Sequence, residues 1–319
     1  MHTHMRTKGR TGPAVLLVAL LLALPVRAAT AAPAVVASIK PVHALVAMVM
    51  QGIGTPTLLI RGAASPHSYA LRPSDARALA GADVVFWIGP ELETFLERPL
   101  AALGPKTRRV ALLQAPGLRL LPARHGGLWE EDEDEDEHGH EHGAVNPHVW
   151  LSTVNARAML AEITRVLAAA DPANAARYAA NRDAALTTLD ALDGEVRRLL
   201  QPVRARRYIV FHDAYGYFEK EFGLAPAGSI SVAPGRPPGA RRLAAIRQRI
   251  AAGGVACVFR EPQFEPTLVQ TILEGTRAQS GVLDSLGADL PAGPGAYPAL
   301  IRNLARSLHD CLQGAAGKD

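Results

Sequence analysis

Between Glu130 and Gly143 the chain reads EEDEDEDEHGHEHG, and just beyond it stands Asn146-Pro147-His148-Val149-Trp150. Imidazoles and carboxylates are ligands for divalent metals, and the two stretches offer them in opposite ways. His138, His140 and His142 alternate with Gly and Glu, so they converge on one ion only if the backbone bends around it. His148 follows a proline and sits in a stiff local context. Eight consecutive acids, Glu130 to Glu137, repel one another and would by themselves describe a solvated charge run. With three histidines appended, residues 124–144 read either as an auxiliary metal-holding loop or as a solvated charged spacer.

Three further histidines fall where strands should end. They are His67 in Ser65-Pro66-His67-Ser68-Tyr69, His148, and His212 in Val210-Phe211-His212-Asp213. In open α/β sheets, ligands bind outside the carboxyl ends of strands, so loops from two facing lobes can aim such side chains into one cleft. Neutral imidazoles suit zinc, which takes four tetrahedral N, S or O ligands, whereas manganese favours more oxygen. The fourth position falls to Asp284 in Val282-Leu283-Asp284-Ser285-Leu286, with Glu261 or water as the alternatives.

The chain has 319 residues with 34 basic and 30 acidic ones. Arg6, Lys8 and Arg10 precede an apolar run from Ala14 to Leu24 and then small residues, the pattern of a secretory signal cleaved after Ala28 or Ala31. The run is short for a membrane span, and a soluble periplasmic protein is expected. Loss of Arg6, Lys8, Arg10 and Arg27 with the signal brings the net charge near zero. The remaining Arg residues are dispersed without interleaved aromatics, which gives nucleic-acid binding no support. Cys257 and Cys311 are the only cysteines. In an oxidising compartment they are most simply a disulfide, two buried thiols being the alternative.

The mature length exceeds what one core commonly serves, so two domains are expected. Strand and helix alternate from Ala34 to Leu113: strands at 34–40, 57–60, 84–88 and 109–113, a helix opened by Pro41, and another with Ser74 as N-cap. The same rhythm returns in Tyr208 to Phe211, Arg241 to Ala252 and Val255 to Phe259. Each lobe should therefore hold a mainly parallel sheet flanked by helices. Between them, Asp171 to Leu200 is Ala-rich and opens on Asp-Pro, and it reads as one long spine helix or as two pieces broken near Gly194. The expected organisation is a signal over 1–31, an N-terminal lobe over 32–170, the connecting helix over 171–200 and a C-terminal lobe over 201–319.

Five stretches together carry a resemblance: His67-Ser68-Tyr69-Ala70-Leu71-Arg72-Pro73-Ser74-Asp75, VVFWIGP over 84–90, NPHVWLS over 146–152, Phe211-His212-Asp213-Ala214-Tyr215 and Arg260-Glu261-Pro262-Gln263-Phe264. In this order, across essentially the whole mature chain, they resemble the ZnuA-like zinc-binding proteins of ABC importers, in the cluster A-I group. The resemblance implies two α/β lobes joined by one long helix, with Zn2+ as transported ligand in the interlobe cleft at His67, His148 and His212. It implies a monomer that serves a membrane permease with its ATPase, a charged loop where the acidic tract lies, and a disulfide matching Cys257 and Cys311. Manganese-binding relatives tend to carry a carboxylate where His212 stands, which favours zinc. Some zinc members place a Glu directly before the first histidine, and Pro66 cannot supply that ligand. A zinc-dependent hydrolase and a periplasmic zinc buffer or adhesin are the rival functions, although the chain has no HExxH.

Overall fold

A computed structural model describes residues 1–4, 31–124, 145–231, 238–252 and 254–315. The signal-like run and the tract with His138, His140 and His142 lie outside them. By contacts the chain separates into Met1–Ala31 and one compact unit, Ala32–Asp319. Among the described residues no helix is long and apolar enough to cross a membrane.

Within that unit two sheets form, each of four parallel strands. The first holds β1 (Val35–Ala37), β2 (Thr57–Leu58), β3 (Val84–Trp87) and β4 (Arg108–Ala111) in the order β2-β1-β3-β4. The second holds β5 (Arg207–Val210), β6 (Ala225–Ser229), β7 (Val255–Arg260) and β8 (Gln279–Val282) in the order β6-β5-β7-β8. Helices cover both faces of such a sheet, so its central strands read as unbroken apolar runs, and VVFW of β3 is buried at every position. The helices of the first half are α1 (Lys40–Val49), α2 (Pro73–Ala80), α3 (Thr94–Ala102) and α4 (Thr153–Ala170).

The spine is α5, Ala175–Leu200, entered through a short turn at Pro172–Asn174 and continuous through Gly194. Its 26 residues span roughly 39 Å at 1.5 Å each. Leu189, Leu192, Val196 and Leu200 bury one face, which holds the helix together where Gly194 weakens it. Then come α6 (Gly216–Phe222), α7 (Ala240–Ala251), α8 (Thr267–Leu273) and α9 (Ala296–Gly314). One buried cluster draws on both sheets, joining Val36 and Phe86 with Tyr208, Phe259 and Leu283. A smaller one, around Ile209, Ile246 and Val258, belongs to the second half alone.

One local expectation is corrected. The helix α2 starts at Pro73 with Arg72 as N-cap, two positions ahead of Ser74. Pro73 fits the first helical position because it lacks the N–H that would otherwise be orphaned. The Asp75 carboxylate then reaches back to the Arg72 N–H at 2.9 Å.

Candidate metal centre

His212 lies just past the end of β5, and Glu261 just past β7. These neighbouring strands are where the order β6-β5-β7-β8 changes direction, so their carboxyl ends open a crevice. His212 Nδ1 meets Glu261 Oε1 at 2.7 Å. A carboxylate only accepts, so Nδ1 carries the proton and Nε2 is left as a bare lone pair when the ring is neutral.

The same device recurs at His148. Asn146 Oδ1 accepts from the His148 backbone N–H at 3.0 Å and from Nδ1 at 2.8 Å. Pro147 restricts Asn146 to extended backbone, and the turn Val149–Leu151 leads into α4, where Ser152 Oγ caps the Asn155 N–H. His67 arrives from the irregular segment between β2 and α2, in a turn closed by Ser68 N–H to Ser65 O at 3.3 Å. Its ring is only partly buried.

The three rings converge. His148 Nε2 lies 3.4 Å from His67 Nε2 and 3.4 Å from His212 Nε2, and one ligand atom from each ring lies within 4.8 Å of the other two. Nitrogens about 2.0–2.1 Å from a tetrahedral ion stand roughly 3.3–3.4 Å apart, which is the spacing of His148 Nε2 from each of the other two. The free space between them is about 10 Å³, bounded also by Trp150, Phe264, Ser285 and Leu286. It holds one small ion or water.

Electrostatics separates the rings. Burial, then the His212 and His67 charges, drive His148 well below its ordinary pKa, and burial with the His212 charge takes His67 down to about 3. Burial also opposes a charged His212, but the Glu261 charge and hydrogen bond outweigh it and the pKa is raised.

Of the expected ligands, His67, His148 and His212 come together, and Asp284 does not join them. Asp284 Oδ1 accepts from the Leu286 and Gly287 N–H groups and from Gln263 Nε2, each at 3.0 Å, and Oδ2 accepts from the Ala288 N–H at 2.5 Å. A carboxylate with its lone pairs so engaged caps a turn. Glu261 is drawn in as the acceptor that orients His212. The sequence carries only one signal for Asn146, its place two residues before His148. Cys257 and Cys311 are joined in a disulfide.

Residues 35–311 match the family model described as zinc-uptake complex component A, periplasmic. Among similar proteins is a high-affinity zinc uptake system protein, ZnuA, of Brucella abortus (strain 2308), 47% identical and aligned over 87% of this chain and 91% of the relative. The ZnuA of Yersinia pestis is 37% identical over 94% of this chain and 97% of its own. A solved ZnuA deletion mutant with zinc bound superposes with a TM-score of 0.73 at 25% identity, over 88% of this chain and 98% of that one. The TroA zinc-binding protein of Treponema pallidum shares the fold, with a TM-score of 0.74 at 22% identity over 88% of this chain and 99% of that one. The chain belongs to the ZnuA family of periplasmic zinc-uptake components.

Proposed function

We propose that this protein captures Zn2+ as cargo at His67, His148 and His212 and delivers it to the membrane permease of an ABC importer for high-affinity zinc uptake. The observation that carries the reading is the convergence of three imidazoles, with His148 Nε2 at the spacing of a tetrahedral ion from the Nε2 atoms of both His67 and His212. Two of those lone pairs are aimed by acceptors on the far side of their rings, which strengthens a ligand and fixes its tautomer. All-nitrogen donors favour zinc over manganese. The fourth position is left to Glu261 or water. About 10 Å³ of free space accommodates an ion and no ester or phosphoester beside it, which supports carriage over hydrolysis. The basic start, the apolar run and the small residues to Ala31 support export and cleavage, and the working form is a monomer.

Metal analysis and calorimetric zinc titration of the mature protein test the reading. Single replacement of His67, His148 or His212 by Ala removes one of very few ligands, so the tightest binding should weaken by about two orders of magnitude or more while the circular-dichroism spectrum is kept. Three variants that titrate like the parent would remove the assigned site.

A further inference from the structure

Asp284 lies where the two halves of the molecule meet. The turn it caps follows β8, and the first half grips this turn at two points. Lys40, the first residue of α1, donates from Nζ to the carbonyls of Gly287 at 2.5 Å and Ala288 at 2.6 Å. Trp150, two residues past His148, donates from Nε1 to the Ser285 carbonyl at 2.8 Å.

The turn is built to present those carbonyls. Gly287 has φ +70°, the left-handed region that favours glycine. Asp284 gathers the N–H groups of Leu286, Gly287 and Ala288, while the carbonyls of Gly287 and Ala288 turn toward Lys40. Lys40 is only 7% exposed; burial pulls its pKa down, and Asp284 and Asp289 act against that pull. Buried amines are costly unless their donors are used, and two charge-assisted bonds to carbonyls use them.

On one side of this contact, Ser285 and Leu286 wall the space between the histidines. On the other, a cavity of about 700 Å³ is lined by Lys40, His43 and Arg61 from the first half and by Leu290, Ala292 and Pro294 from the second. The halves are thus not packed together there, and the Lys40 contact spans the boundary between that cavity and the metal space.

We infer that Lys40 and the turn Asp284–Ala288 form an interlobe latch that fixes His67 and His148 against His212, which makes Lys40 a positioning residue for the metal centre. The consequence for metal rests on the zinc-capture reading, and the geometric consequence does not.

Fluorescent labels on unnatural amino acids at the exposed positions Glu97 and Gln248, one in each half, leave the disulfide intact and report lobe separation. Lys40→Met keeps the aliphatic stem and removes the ammonium. In the metal-free state the parent should give one narrow distance distribution, and Lys40→Met a broader and longer one. Stopped-flow transfer of zinc to a chromophoric chelator should show dissociation from the variant at least tenfold faster. Asp284→Asn should act in the same direction, and the double variant should be no worse than the stronger single one, because both break one contact. A Lys40→Met protein with a lower melting temperature but the parent's distances and dissociation rate overturns the latch, since Lys40 would then only stabilise the fold. Broadened distances with unchanged dissociation overturn it as well. If the parent takes up no zinc, the capture reading fails while the distance measurement still decides the latch.

Discussion

Each ring in the cluster has two nitrogens, and the contact made by the outer one decides what the inner one can offer. His67 and His148 are held below their ordinary pKa and are neutral in the metal-free protein at ordinary pH, so they present no proton for an arriving cation to displace. His212 is the exception, because Glu261 keeps its pKa above the ordinary 6.5. Metal binding must expel that proton below the raised value and expels none above it. Zinc affinity should therefore be flat at high pH and fall about tenfold per pH unit once pH drops through the His212 pKa, the slope of one proton. Calorimetry from pH 8 to 5, in buffers of differing ionisation heat, counts the protons released. A release approaching three would mean that all three rings titrate in the metal-free protein and that the assigned depressions are wrong. The three clustered histidines were legible because proline contexts and strand ends mark them locally. Glu261 is 49 residues from His212, and its role depends on β5 and β7 being neighbours, which sequence order does not state. The place of Asp284 was not legible, because a carboxylate after a strand has the same local signature as ligand or as turn cap. Only the direction of the Leu286, Gly287 and Ala288 N–H groups separates the two.

At the level of elements, the second sheet is fastened to α9 by a covalent bond. Cys257 on β7 is fully buried and Cys311 on α9 nearly so, and their bond closes a loop with a sequence separation of 54. In the chain-entropy model a loop of that length stabilises the fold by about 4 kcal/mol. Neither cysteine lines the metal space. Replacement of both cysteines by Ala should lower the unfolding free energy by roughly that amount while the number of zinc ions bound stays the same. A free-thiol assay on the unfolded, unreduced protein should find no thiols, and two would contradict the bond outright. The pairing was legible from compartment and count, since two cysteines permit a single intramolecular bond. Helix ends were less legible: Pro73, rather than the hydroxyl of Ser74, set the start of α2, because proline at a first helical position decides backbone geometry before any side chain caps it. Gly194 did not break α5, because four buried apolar side chains around it outweigh one unfavourable propensity.

At the scale of the whole molecule, length pointed to two domains, and two sheets are present, but residues of both contribute to one core, so the halves are joined by packing as well as by α5. Core continuity was not legible because it depends on which faces of α1, α5 and α9 meet. The acidic His-rich tract is attached at one defined place on this body. Pro122 and Val145 form an antiparallel bridge at its two roots. Arg124 pairs with Asp213, the residue after His212, and with Glu219 at 2.8 Å, while Asn146 Nδ2 donates to the Asp213 carbonyl at 3.2 Å. The roots are therefore held together independently of what lies between them, and the tight centre draws its three nitrogens from described residues alone. Deleting Glu130 to His142 should then leave the tightest zinc-binding event unchanged. It should also remove additional weaker binding, because His138, His140 and His142 alternate with Gly and Glu and must lose much backbone freedom to surround an ion. Eight adjacent carboxylates raise the local cation concentration without supplying a fixed geometry. Calorimetry on the deleted protein distinguishes the outcomes. One tight event with fewer total ions supports an auxiliary loop, and an unchanged ion count reduces the tract to a solvated spacer. Loss of the tightest event would place the loop in the primary site.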